Sequence, residues 1–90
     1  IMNNSLKPNN DIRLKRLIFR SQHRGCKESD IVLGAFAETG LPALSPAELD
    51  IYEAFLEEDD AEIWDWILGK TPPPRAEYES ILLKLRAYKP

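Results

Sequence analysis

Helix breakers divide this chain into short segments. Glycines at positions 25, 40 and 69 and a run of three prolines at 72–74 interrupt a sequence of 90 residues that is otherwise compatible with helix. Glycine adopts the left-handed conformation without a Cβ penalty, and proline fixes φ and lacks an amide donor, so helices end at such points. No segment shows the alternation of a strand. We therefore expect an all-α fold, a compact bundle of five short helices around one core.

The first predicted helix begins at Asn10 or Asp11, either of which is a good N-cap, and runs to about His23. Its predicted core face is formed by Leu14, Leu17, Ile18 and Ser21. The polar residues 1–10 are interpreted as a flexible N-terminal tail. Residues 11–90 then form a single helical domain.

Cap residues and apolar spacing define the other four helices. The second is predicted to start near Lys27, and the third at the capping box that begins at Ser45. Asp59 and Asp60 open the fourth, and the last follows the proline run. Apolar residues at spacings of three and four predict the core positions Ile31, Val32, Ala35, Phe36, Leu49, Tyr52, Phe55, Leu56, Tyr78, Ile81, Leu82 and Leu85.

The charge distribution argues against a nucleic-acid partner. Acidic residues outnumber lysine plus arginine by 15 to 12, and phosphate-binding proteins usually present a basic patch. The first third of the chain is nevertheless basic, and residues 48–65 are strongly acidic. This layout favours electrostatic steering toward a protein partner.

The sequence contains no apolar stretch of the roughly 20 residues that cross a bilayer, so we expect no membrane insertion. The single cysteine, Cys26, excludes an internal disulfide framework and fits a reducing compartment. The opening ten residues resemble neither a signal nor a transit peptide. This favours a bacterial cytoplasm, with the mitochondrial matrix as the expectation for a eukaryotic chain.

Residues suited to catalysis or metal binding are sparse. The only histidine, His23, would point away from Ser21 on a helix, and a pair with Cys26 across the turn matches no local signature. One cysteine and one histidine cannot furnish a structural zinc site, and the acidic run at 57–62 lacks the glycine of a calcium loop. We therefore expect no enzymatic activity of the chain alone, no metal and no stably bound cofactor.

Two features are candidates for a contact surface. Trp64 and Trp66 lie about 200° apart on a helix, so one of them should lie near the edge of the core, where it either contacts a partner or covers the core. The charged turn around Gly25 places Arg24 at the end of one helix and Glu28 in the first turn of the next. Helix dipoles favour both charges there, so the end of one helix and the start of the next are enough to explain them. A docking function is the competing interpretation.

The stretch RGCKESD, residues 24–30, resembles the RGMxExD signature of the succinate dehydrogenase assembly factor 2 family. The basic helix before it, the following IVLGAF, the block LSPAELDIYEAFLEEDDAEIWDWILG and the proline-bearing link also resemble that family in order and spacing. The resemblance runs from about Asp11 to Tyr88. Cys26 and Ser29 stand where the family commonly has methionine and leucine.

The resemblance implies a helical bundle that acts as an assembly chaperone. Proteins of the family bind the succinate dehydrogenase flavoprotein subunit with its noncovalently held FAD, and a histidine of that subunit attacks the 8α-methyl carbon of the flavin. FAD would thus belong to the partner. The fumarate reductase flavoprotein as a second client is left open, and the free chain is expected to be a monomer.

The resemblance also implies that Arg24, Gly25 and Glu28 lie in a partner-binding surface, to which we add Asp30, Trp64 and Trp66 as a hypothesis. We expect Arg24 and Glu28 to point outward and make polar contacts, and Asp30 to support the turn. An alternative function is that of an antitoxin-like or regulatory protein-binding module, which rests only on the small, acidic and helical character of the chain. The identity of a captured partner separates the two.

Overall fold

A computed structural model describes residues 2–88, with side chains from Ile12 to Tyr88. No strand occurs among these residues, and the prediction of five helices in an all-α fold is confirmed. A short 3-10 helix, Leu41–Ala43, joins the second helix to the third. The helices are α1 (Met2–Gln22), α2 (Lys27–Gly40), α3 (Pro46–Phe55), α4 (Asp60–Leu68) and α5 (Tyr78–Arg86).

Helix α1 begins earlier than the sequence predicted, at Met2 and not at Asn10 or Asp11. Residues 2–10, interpreted from the sequence as a tail, are therefore helical. Asparagine and aspartate are good caps, but inside a helix each costs at most about 0.7 kcal/mol relative to alanine, so a cap residue does not force a helix to start. The flexibility of this segment, and the single domain over residues 11–90, stay predictions.

The predicted helix boundaries around α3 and α4 are confirmed. The Ser45 hydroxyl accepts a hydrogen bond from the Glu48 amide at 3.2 Å, and the Glu48 carboxylate accepts one from the Ser45 amide at 2.8 Å. The Asp59 carboxylate caps α4 by accepting from two first-turn amides. Gly69 ends α4 with a φ of 79°. These caps fix the short acidic turn between α3 and α4, residues 56–59.

The core lies where all five helices meet, and its aromatic centre is formed by Phe36, Tyr52, Phe55, Trp66 and Tyr78. The predicted core positions of α3 and α5 are buried. In α2 the prediction is wrong for two residues, since Ile31 is 50% exposed and Ala35 is also exposed. The core face of α2 is made instead by Val32, Leu33, Phe36 and Ala37.

None of the described helices combines the length and the apolar composition needed to cross a membrane.

Candidate functional site

The corner between α1 and α2 is a left-handed glycine turn. Gly25 has a φ of 98°, and a Cβ added to it would meet nothing within 4 Å, so glycine is required there by backbone conformation and not by space. The two carboxylate oxygens of Asp30 accept hydrogen bonds from the backbone amides of Arg24 and Gly25, each at 3.2 Å. Asp30 therefore supports the turn, as the sequence predicted.

Arg24 points into the molecule, and the expectation that it points outward is wrong. Its Nε donates to Asp60 at 2.5 Å, and its two terminal nitrogens donate to the carbonyl oxygens of Leu56 at 2.6 Å and Glu58 at 2.9 Å. The side chain is only 11% exposed. The side chain turns inward because its planar guanidinium can donate at once to carbonyls left free between α3 and α4 and to the first carboxylate of α4.

Glu28, by contrast, faces solvent in the first turn of α2. Among the residues whose side chains are described, its one polar contact is with the Cys26 sulfur at 3.9 Å, which is a weak interaction. Arg24 and Glu28 do not pair with each other, because Arg24 is paired with Asp60. The carboxylate of Glu28 is thus an acidic group of the motif that a partner can reach, next to the exposed Lys27.

The two tryptophans differ in burial, and one lies near the edge of the core as the sequence predicted. Trp66 is 3% exposed, and its ring packs 6.0 Å from those of Phe55 and Tyr78. Its predicted place on a contact surface is therefore wrong, because its ring is part of the aromatic core. Trp64 is half-buried against the same core and keeps an exposed edge. Of the two, only Trp64 remains a candidate for partner contact.

Opposite charges of the chain meet across the gap between α1 and the acidic segment. The pairs are Arg13 with Asp50 at 2.6 Å and Glu53 at 3.0 Å, Arg20 with Glu57 at 2.6 Å, and Arg24 with Asp60. We call this set the arginine ladder. In these pairs, basic side chains of the first third neutralise acidic side chains of residues 48–65. Fewer of these charges are therefore available to steer a partner, which is the role that the sequence suggested for them. The basic first third is consequently a smaller free surface than its composition suggests.

A buried polar contact lies beneath the ladder. The Ser21 hydroxyl donates to the Leu17 carbonyl at 2.8 Å and lies 2.6 Å from the Tyr52 hydroxyl, so it joins α1 to α3. Burial raises the pKa of Tyr52 to about 12. Ser21 and Tyr52 were predicted to face the core, and both are fully buried. This contact ties a buried side chain of α1 to one of α3.

His23 and Cys26 do not form a catalytic pair in this corner. The His23 ring packs on Phe19 with centroids 4.2 Å apart, and the Cys26 sulfur lies toward Glu28. Among the described residues, no group of three histidine, cysteine, aspartate or glutamate side chains is arranged to hold a metal ion. A hollow of about 530 Å³ opens between α2, α3 and α5, but its lining includes Phe36, Leu44 and Tyr88 and none of the corner residues.

Sequence reasoning missed two residues that shape this region. Asp60 was assigned only to the start of α4, and no local pattern could reveal its contact with Arg24 36 residues away. Phe19 is 63% exposed. Its position on the helix, opposite the Leu17 and Ser21 face, would have identified it as an outward aromatic residue.

Comparison with known proteins matches residues 15–89 to the family described as flavinator of succinate dehydrogenase. The chain is 37% identical over 73 residues to the FAD assembly factor SdhE of Acetobacter pasteurianus, an alignment that covers 81% of this chain and 67% of that protein. It is 36% identical over 84 residues to the mitochondrial succinate dehydrogenase assembly factor 2 of Dictyostelium discoideum, with coverage of 93% and 58%.

A protein of the same name from Lodderomyces elongisporus is 37% identical over 78 residues, which cover 83% of this chain and 48% of that protein. The chain thus spans about half to two thirds of the length of these curated relatives. No solved structure matches it. The relatives include a bacterial protein and proteins named as mitochondrial.

Proposed function

Because this chain belongs to the family described as flavinator of succinate dehydrogenase, we propose that it is an assembly factor for the flavoprotein subunit of that enzyme. It binds the subunit and promotes covalent attachment of FAD to one of the subunit's histidines. The match over residues 15–89 carries this proposal. It acts where the flavoprotein matures, in a bacterial cytoplasm or a mitochondrial matrix. The antitoxin-like alternative has no comparable support.

The chain acts on its client by positioning and contributes no reacting atom. FAD is cargo of the client, whose histidine forms the bond to the flavin. Correct placement of a nucleophile against its target can supply about 7–11 kcal/mol of a barrier in favourable cases. An assembly factor that holds the client in the reactive arrangement can therefore accelerate flavinylation without being an enzyme.

The corner is suited to this role because its backbone is fixed before a partner arrives. Gly25 sets the turn, Asp30 binds two of its amides, and Arg24 anchors it to the α3–α4 turn. The exposed Glu28 carboxylate is presented from this rigid base. A backbone that is already ordered loses little conformational entropy on binding, and a carboxylate forms strong hydrogen bonds to a cationic or amide donor.

The test is flavinylation of the client in the presence of charge-reversed variants. The flavoprotein subunit is co-produced with wild type, Glu28→Lys or Glu79→Lys, and its covalent flavin is measured by fluorescence after denaturation. Glu79→Lys is a matched control, because Glu79 is also exposed and also occupies the second position of its helix, α5. We expect Glu28→Lys to reduce covalent flavin to the level found without the factor, and Glu79→Lys to behave as wild type.

Two results would contradict the proposal at different levels. Full covalent flavin with Glu28→Lys would remove Glu28 from the contact surface but leave the function standing. Wild type that fails to raise covalent flavin above the level of the client alone would overturn the function itself. The same assay with the fumarate reductase flavoprotein tests whether the client range is wider.

A further inference from the structure

Helix α1 has an outward face that points away from the core and lies next to the arginine ladder. The residues on it follow one another at positions i, i+4, i+7 and i+11, so they line a single side of the helix, with Lys15 at its flank. Two of them are large apolar side chains that are strongly exposed, Ile12 at 53% and Phe19 at 63%. We call this face the α1 ridge, and it consists of Ile12, Lys15, Arg16 and Phe19 of α1 and of His23, which directly follows the helix.

The ridge carries positive charge that the fold leaves available. Residues 12–27 contain six basic side chains and no acidic one. Three of the arginines are engaged in the arginine ladder. Lys15 and Arg16 form no ion pair with any residue whose side chain the structure describes. The outward cations therefore differ from the inward ones in having no acidic neighbour among the described side chains.

The aromatic end of the ridge is ordered by its own contacts. The Phe19 ring lies against the His23 imidazole at 4.2 Å between centroids and 35° between planes. Beside them, a shallow hollow of about 290 Å³ is lined by Phe19, Arg20, His23 and Arg24. An exposed aromatic ring held in place next to a hollow is the kind of anchor that dominates binding energy at protein interfaces.

We infer that the α1 ridge is a docking surface for an acidic groove on the client flavoprotein, in which Phe19 fills an apolar slot and Lys15 and Arg16 face carboxylates. This inference rests on the proposed function. The ridge leads directly through His23 into the Gly25 corner, so one partner can cover both. The complementary charge of the partner follows from the absence of acidic residues along residues 12–27.

A protein groove suits the ridge better than a lipid surface. Helices that lie on membranes keep their cations on a polar face that is separate from the apolar face. Here Arg16 lies on the same stripe as Ile12 and Phe19, between them along the helix, so insertion into lipid would bury its charge. Carboxylates in a protein groove can pair with that charge where it stands.

The experiment measures the rates at which this chain and its variants associate with and dissociate from the purified flavoprotein subunit that holds FAD noncovalently. The ridge variants are Phe19→Ala and the double variant Lys15→Glu with Arg16→Glu. Their matched controls are Leu83→Ala, since Leu83 is an exposed apolar residue of α5 at 67%, and Lys70→Glu with Lys84→Glu. All the substituted side chains are exposed or half-exposed, and thermal melting checks that each variant is folded.

We expect Phe19→Ala to raise Kd about tenfold or more through faster dissociation. The double ridge variant should slow association about tenfold at low salt, and the difference should shrink at about 0.5 M salt because screening weakens steering. The controls should stay within about twofold of wild type.

Two results together would overturn the ridge as a docking surface but leave the proposed function standing. The wild type would bind its client and promote its flavinylation, and the ridge variants would bind the client with a Kd within about twofold of the wild-type value. Wild type that neither binds nor raises covalent flavin would overturn both. Co-sedimentation with phosphatidylglycerol vesicles supplies a further arm. Loss of vesicle binding in the double ridge variant, with unchanged affinity for the flavoprotein, would assign the ridge to a lipid surface and overturn the protein groove.

Discussion

Arg24 and Glu28 lie four residues apart in one charged motif, and the fold uses them in opposite ways. Three nitrogens of Arg24 donate to the α3–α4 turn, and its side chain is 11% exposed. Glu28 is exposed and has one weak described contact. One charge of the motif therefore builds the corner, and the other is displayed by it. A charged signature in a sequence does not by itself distinguish these roles.

The cause of the difference is the direction of the chain on either side of Gly25. Before the glycine, α1 lies along the acidic segment, so an arginine at its end reaches carbonyl acceptors. After the glycine, α2 starts with Lys27 and Glu28 exposed to solvent. Substitutions of the two residues should consequently have different effects. A change at Arg24 should alter the stability and geometry of the corner, and a change at Glu28 should alter contact with the client.

The largest effect on stability is expected for Arg24→Ala. It should lower the free energy of unfolding by about 2–4 kcal/mol, because Asp60 and two carbonyls lose their donor in a site that is mostly shielded from water. Urea unfolding measures this. The double variant with Asp60→Asn should lose less than the sum of its single changes, since the residues are coupled. A loss below about 0.5 kcal/mol for Arg24→Ala would show that the anchor is unimportant.

An intermediate effect is expected for Gly25→Ala. The Cβ has room, so the expected loss of about 1–2 kcal/mol comes from the positive φ alone. Gly69→Ala is the control, because Gly69 has a φ of 79° and also has open space around it, but lies at the end of α4. Both variants should lose similar stability, and only Gly25→Ala should also lower flavinylation of the client. Equal flavinylation by the two would separate the corner from the function.

The smallest effect on stability is expected for Glu28→Gln. Only a favourable interaction with the helix dipole is removed, so the free energy of unfolding should fall by less than about 0.5 kcal/mol. Covalent flavin in the client should fall nonetheless. If urea unfolding instead gave a loss as large as that of Arg24→Ala, the division of the motif into a structural and a displayed charge would be wrong.

Much of the fold could be predicted because its signals are local. The capping box at Ser45 and the glycine at position 69 placed the helix ends, since each satisfies backbone groups within a few residues. The core face of α2 could not be placed as well. Its apolar run from Ile31 to Ala37 is nearly continuous, so helical periodicity alone does not decide which side is buried, and packing against α1 and α5 does.

The candidate site was predictable in position but not in orientation. The motif and its glycine located the corner, and Asp30 was expected to support it. The direction of Arg24 depends on Asp60 and on two carbonyls far away in the sequence, which no local pattern encodes. Trp66 was misplaced for a similar reason, because its burial is decided by Phe55 and Tyr78 from other helices.

The anchoring of Arg24 on the α3–α4 turn links two loops that are distant along the chain. Inserting one residue between Leu56 and Asp60 would move the three acceptors relative to the Arg24 guanidinium. The corner between α1 and α2, which is held by these bonds, would shift as a result. The lengths of these two connections are therefore not independent. A loop graft or a design that alters the acidic turn must re-engineer the corner that displays Glu28 at the same time.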